Sequence, residues 1–305
     1  MVIPVWHAKD DMIQRPYLEY YITYHCNLKC ENCSVGSPFI DPRYSDLQSY
    51  KRDVDSLREY MHIGTMRLIG GEPTLNPEIV EYLKYAKTSG FADTTSVATN
   101  GIKLLSMPDE FWEWCDYINL SVYPNTGINY EKIFELLSRK GKTYNVTNKP
   151  LTTKTVQSSS TEKVSGFQKI ELDWGSEFRV LDQYEPHDDE TAQNVYSTCL
   201  MHQWCHTFKN GNYYRCGFSI HRNIYYDSIG VPLEQDLRET DKIPIDKDFI
   251  ENYNKHEKSS KININACRYC KGFGDAVKPT NSPYRQFTNE EIFSRKMINS
   301  SSPTG

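Results

Sequence analysis

The chain has 305 residues, a formal net charge of −5, and 38% hydrophobic and 25% charged residues. No run approaches eighteen consecutive apolar residues, which excludes a helix that spans a membrane, and the acid excess argues against a chain-wide polyanion binder while leaving room for a local basic groove. The length fits one large α/β domain, or one domain with an appendage. The start, MVIPVWHAKDDMIQRPY, lacks a basic segment followed by an apolar run and a cleavage site, so a cytoplasmic protein is expected. Nine cysteines, eight of them in two short-spaced groups, point in a reducing compartment to metal or redox chemistry rather than disulfides.

In chain order, the aromatic and β-branched stretch YLEYYITY (17–24) predicts a strand that runs straight into CNLKCENC, with Cys26, Cys30 and Cys33. SDLQSYKRDVDSLREYM (45–61) places Leu47, Tyr50, Val54, Leu57 and Met61 at helical spacing, with Ser45 as the expected N-cap. TMRLIG (65–70) reads as a short buried strand that ends in GGEP (70–73). Asn76 and Pro77 are expected to open the next helix and Gly90 to close it. TTSVAT (94–99) is a strand ending at Asn100-Gly101, and YINLSVY (117–123) one ending at Pro124. Cys115, alone among apolar neighbours, reads as core filler. NYEKIFELLSRKG (129–141) predicts a helix and KTYNVT (142–147) a strand.

Strands alternating with helices imply parallel pairing through right-handed crossovers, and the regular order implies an α/β fold with an incomplete (β/α)6 TIM-like barrel. In such folds the loops after the strands carry the chemistry. The cysteine loop, GGEP and Asn100-Gly101 therefore fall on one rim.

The stretch 148–166, rich in Thr, Ser and Lys, reads as a loop or lid, followed by strands KIELDW (169–174) and EFRVLD (177–182). Arg179, Asp182, Glu185 and His187 then gather polar groups suited to a hydroxyl- or amino-bearing substrate, the alternative being a solvated acidic loop. From about 190 the chain lacks long helices and holds Cys199, Cys205, Cys216, Cys267 and Cys270. The expected division is a core over 1–189, a small cluster-bearing domain over 190–280, and a tail over 281–305 whose end, INSSSPTG, is expected to be disordered. A hairpin around Gly211 would bring Cys205 and Cys216 together.

Three thiolates on one loop can hold three corners of a cubane iron–sulfur cluster and leave the fourth iron open; a zinc site completed by His25 or a distant cysteine is the alternative. CNLKCENC resembles the cluster motif of the radical S-adenosylmethionine (SAM) superfamily, and GGEP resembles its second signature. The resemblance implies a [4Fe–4S] cluster on Cys26, Cys30 and Cys33, with SAM on the open iron. It further implies SAM contacts from Gly70, Gly71, Glu72 and Pro73, ribose contacts from Ser96 or Asn100, and a carboxylate contact from Ser121. Asn32 stands where the family often has an aromatic residue against the adenine, and Tyr123 lies near where it often has an aspartate. Glu72 as an ordinary surface carboxylate is the plainer alternative.

The spacing from Cys199 through Gly211 to Cys216 resembles the opening of SPASM and twitch domains, which hold auxiliary [4Fe–4S] clusters. A full SPASM domain has seven cysteines, so five imply the shorter twitch type with one left over. One family arrangement would use Cys199, Cys205, Cys216 and one of the late pair; another would use Cys199, Cys216, Cys267 and Cys270. The surplus thiol is either inert or a hydrogen-atom donor, and a zinc site with His202 and His206 nearby is the alternative for this region.

The resemblance implies an enzyme that abstracts hydrogen from a small polar metabolite such as a sugar, aminocyclitol or nucleoside. An external one-electron donor such as flavodoxin or ferredoxin is expected. A peptide maturase is the second reading, slightly disfavoured because only about seventeen residues precede the first strand. A non-catalytic iron–sulfur or zinc protein is the third. No dense basic stripe supports a nucleic-acid partner.

Overall fold

The first strand, β1 (Ile13–Thr23), carries two different faces. Leu18, Tyr20 and Ile22 are buried on one, while Arg15, Tyr17, Glu19 and Tyr21 alternate with them on the other. This computed structural model describes residues 12–31, 33–123, 126–148, 186–199, 201–231, 233–259, 261, 264–270 and 285–300. After β1 come α1 (Leu47–Leu57), β2 (Met61–Gly70), α2 (Ile79–Thr88), β3 (Ala92–Thr99), α3 (Asp109–Trp114), β4 (Tyr117–Val122), α4 (Tyr130–Arg139) and β5 (Thr143–Asn148). The second part holds α5 (Asp189–Thr198), α6 (Met201–Trp204), β6 (Thr207–Lys209), β7 (Asn212–Tyr214), α7 (Phe218–Ser228), α8 (Leu237–Thr240), β8 (Ile243–Pro244), α9 (Phe249–Glu257) and α10 (Asn289–Ser300).

One sheet runs β5-β4-β3-β2-β1-β6-β7-β8, parallel from β5 through β6. Each strand from β1 to β5 is added on the same side of its predecessor. That winding is the one a (β/α) barrel uses; a doubly wound sheet reverses direction at a switch point. The mixed α/β class and the partial TIM-like barrel agree with this sheet. The predicted strands at 169–174 and 177–182 lie outside the described residues. No helix among the described residues is long and apolar enough to cross a membrane.

The helices cover the face that carries Leu18, Tyr20, Ile22, Met66, Leu68, Val97, Ile118 and Leu120. Tyr50 of α1 and Tyr82 of α2 pack beneath Tyr20 and against one another, with Tyr20 and Tyr50 4.7 Å apart and Tyr50 and Tyr82 4.8 Å apart. Cys115 is fully buried in this core, as its apolar neighbourhood led one to expect.

Four local expectations change, the first being that Met61 opens β2 rather than closing α1, which ends at Leu57. The N-cap of α1 is Asp46, whose carboxylate accepts from Ser49 N at 2.7 Å, because the Ser45 hydroxyl is already committed to the Tyr21 carbonyl. α2 begins at Ile79; Asn76 acts three residues earlier, its Oδ1 accepting from Glu78 N while its Nδ2 donates to Ile22 O. The tail is not wholly disordered: α10 runs to Ser300, and residues 285–287 pair antiparallel with the cysteine loop.

β6 and β7 form the expected hairpin. Asn210 and Gly211 both adopt positive φ (52° and 72°), the two-residue turn whose twist suits a hairpin. Asp53 of α1 accepts both of their N–H groups, at 2.8 and 2.7 Å, and ties the hairpin to the barrel.

Candidate active site

The cysteine loop leaves β1 at Thr23 and is laced to the loop after β2. Gly71 N donates to Thr23 O at 2.9 Å and Glu72 N to His25 O at 2.8 Å. This contact explains both glycines. A Cβ at Gly70 would lie 2.1 Å from Thr23 O, and one at Gly71 2.2 Å from His25 O. Gly70 also adopts φ +146°, a conformation closed to most residues.

Cys26, Cys30 and Cys33 are all partly exposed on this loop. Leu28 N donates to Cys26 Sγ at 3.3 Å. Burial pushes the Cys26 thiol well up, and the charges of Cys33, Glu72 and Cys30 push it further. Ionising Cys26 beside Cys33 and Cys30 is therefore unfavourable until a cationic group stands among them, a condition an iron–sulfur cluster meets. The donor set therefore fits such a cluster on three corners.

Glu72 is 1% exposed, so it is not a surface carboxylate. Its Oε1 accepts from Thr74 N, Thr74 Oγ1 and Thr99 Oγ1 at 3.1, 2.5 and 2.6 Å, and its Oε2 accepts from Asn100 N at 2.7 Å. Burial raises its pKa, and the Thr74, Thr99 and Asn100 bonds hold it back. Pro73 opens a 3-10 turn over Pro73–Leu75 and is buried. Asn100 Nδ2 in turn donates to Asn27 Oδ1, inside the cysteine loop, at 2.8 Å. The ends of β1, β2 and β3 are thus hydrogen-bonded into one rim.

The remaining predicted residues scatter. Ser121 is half-buried near the end of β4. Ser96 lies three residues short of the end of β3, buried, with its hydroxyl unpartnered. Asn32, Arg179, Asp182 and Glu185 lie outside the described residues. His187 sits against the late cysteine pair: its N donates to Arg268 O at 2.8 Å and its Nε2 meets Cys270 O at 3.1 Å.

The five C-terminal cysteines are buried. Burial, then Cys216, Cys270 and Cys199, push the Cys267 thiol up; burial, then Cys199, Cys270 and, last, Cys205, do the same to Cys216. Cys216 and Cys267 thus both sense Cys199 and Cys270. Cys205 differs in its contacts: its Sγ lies 3.3 Å from the Tyr17 hydroxyl and its charge is coupled first to Glu19, with Cys199 a weaker neighbour. Among the described residues no three His, Cys, Asp or Glu side chains converge to hold a single metal ion.

The C-terminal segment braces the first loop from outside. Glu31 N donates to Arg285 O at 3.0 Å, Phe287 N to Lys29 O at 2.8 Å, and Lys29 N to Gln286 Oε1 at 3.0 Å. The Arg285 guanidinium grips Glu31 with two bonds, at 3.0 and 2.8 Å. Spacing rules gave no signal for this contact, which joins residues more than 250 apart in the chain.

Residues 20–123 match the family described as the Radical SAM superfamily. The GTP 3',8-cyclase of Chlorobaculum tepidum is 31% identical over 107 residues, covering 35% of this chain and 32% of the cyclase. Mycofactocin maturase MftC of Mycolicibacterium smegmatis is 30% identical over 105 residues, covering 34% of this chain and 26% of the maturase. The similarity thus spans about a third or less of these relatives' length. Among solved structures, BtrN in complex with AdoMet and 2-DOIA superposes over 88% of this chain and 97% of its own, with 11% identity and a TM-score of 0.49.

Proposed function

We propose, from the match of residues 20–123 to the Radical SAM superfamily, an enzyme that binds a [4Fe–4S] cluster through Cys26, Cys30 and Cys33 and SAM on its open iron. Once bound and reduced by an external donor such as flavodoxin or ferredoxin, the cluster would supply one electron for cleavage of SAM to methionine and a 5'-deoxyadenosyl radical, the species that would take a hydrogen atom from substrate. The observation that carries this reading is the lacing of the GGEP backbone to the loop that holds the three thiols.

The residues of the chain have separate tasks. Gly70 and Gly71 let two backbones meet, so that the loop keeps its shape. Glu72 holds the ends of β2 and β3 together; its Oε2 carries a single bond and keeps acceptor capacity for the SAM ammonium. Asn100 and Ser121 stand at the same rim for ribose and carboxylate. Cys199, Cys216, Cys267 and Cys270 would hold an auxiliary [4Fe–4S] cluster, leaving Cys205 outside it. The substrate class we favour is a small polar metabolite, because among the described residues Glu19, Arg67 and Ser96 align on the face of the sheet turned away from α1–α4.

The test is anaerobic reconstitution of the wild type and of a C26A/C30A/C33A variant, with iron content and 5'-deoxyadenosine formation from SAM after chemical reduction. About eight irons falling to about four, with 5'-deoxyadenosine lost in the variant, supports the reading. No SAM cleavage by a reduced, iron-replete wild type overturns it.

A further inference from the structure

The face of the sheet turned away from α1–α4 carries a transverse row. In register across six strands stand Thr207, Glu19, Arg67, Ser96, Tyr117 and Thr143. Parallel sheets are ordinarily apolar on both faces, yet this row is polar in every member. Its centre is charged: Arg67 Nη1 stands 3.4 Å from Glu19 Oε1, and the guanidinium lies over the Tyr17 ring at 4.6 Å. That ion pair is long and single, and leaves most of the five guanidinium N–H groups unused.

Three polar atoms in this row are buried without a partner: Arg67 Nε, Ser96 Oγ and Thr207 Oγ1. Ser96 is 2% exposed and Thr207 fully buried. Buried donors left unpaired cost free energy that a bound acceptor would recover. The Arg67 side chain, by contrast, is 29% exposed, so its fork is reachable, while Glu19 behind it is 8% exposed and holds it in place.

We infer that Arg67 and Ser96 form an oxyanion-binding subsite for the substrate, taking a carboxylate or phosphate group, with Glu19 and Tyr17 as positioning residues. A planar fork backed by a carboxylate and stacked on a ring is preset for two parallel bonds to an oxyanion, and the Ser96 hydroxyl one strand away supplies a third. Ser96 thereby serves the substrate rather than the SAM ribose, since it lies below the rim. The anion site stands on this geometry alone; that it belongs to the substrate rests on the radical reading.

The test is titration of the reconstituted protein with inorganic phosphate and, separately, with malonate, at constant ionic strength, following thermal stability or heat. A saturable response to one of them identifies which oxyanion the subsite takes. In R67M it should weaken about tenfold or more, and in R67K by nearly as much, because a lysine keeps the charge but loses the fork. Iron content and far-UV circular dichroism verify that each variant is folded. No saturable response in the wild type, or one that R67M and R67K retain in full, overturns the inference. If the wild type still cleaves SAM in that case, the radical reading stands without it; a response to anion from a protein that never cleaves SAM sinks the radical reading instead.

Discussion

The buried carboxylate of Glu72 accepts the backbone N–H of Asn100 at 2.7 Å, so one side chain fastens the end of β2 to the end of β3. E72A leaves that N–H and the hydroxyls of Thr74 and Thr99 without their acceptor. A loss of about 3 kcal/mol in unfolding free energy is expected, and about 1–3 kcal/mol for E72Q, whose amide must set a donor against one of these donors. Urea denaturation of the iron-free proteins measures both. A change under about 0.5 kcal/mol in E72A would mean that the rim is held by the backbone bonds alone.

Cys205 is predicted to be dispensable for iron. C205A should keep about eight irons per chain after reconstitution, whereas C267A/C270A should fall to about four. If C205A instead loses about four and C270A none, the auxiliary ligand set must include Cys205 and exclude one of the late pair.

The C-terminal strap should slow the loss of iron from the first loop. Phe287 is buried and packs edge-on against Phe39 at 5.1 Å, whereas the Arg285–Glu31 pair is largely exposed. An exposed pair contributes about 0–1 kcal/mol and a buried phenyl ring about 3 kcal/mol or more. F287A should therefore raise the rate of iron transfer to a ferrous chelator by at least about tenfold, and R285M by no more than about threefold. Equal rates in all three proteins would dissociate the strap from cluster retention.

Lys209 reports on the joint between α1 and the hairpin. Burial, then Arg43, lower its pKa to about 8, with Asp53 opposing them, and its Nζ donates to Ser45 Oγ at 3.1 Å. The fold thus disfavours the charged form. Below that value the ammonium is charged in both states and the full penalty applies. As pH rises through it toward the ordinary lysine range, the unfolded chain holds a proton that the native state has released, so stability is gained. The wild type should gain on K209M between about pH 7.5 and 9.5. Parallel melting-temperature curves over that range would show that Lys209 is hydrated in the native state.

The spacing of Cys26, Cys30 and Cys33, the GGEP turn and the strand–helix alternation of the first half were legible without coordinates, because each depends on residues close in the chain. A loop of eight residues brings its own thiols together, and a paired glycine announces a close backbone approach before its partner is known. What the sequence by itself left open is what depends on register between distant strands. The pairing of β6 beside β1 puts Cys205 against Tyr17, a residue of the first strand. The in-register row of Glu19, Arg67 and Ser96 exists because three separate strands align there. In YLEYYITY and TMRLIG the charged residues occupy alternate positions, but alternation marks only that they share a face of their own strand. Which face is covered by helices, and which residues meet across it, is decided by the winding of the sheet.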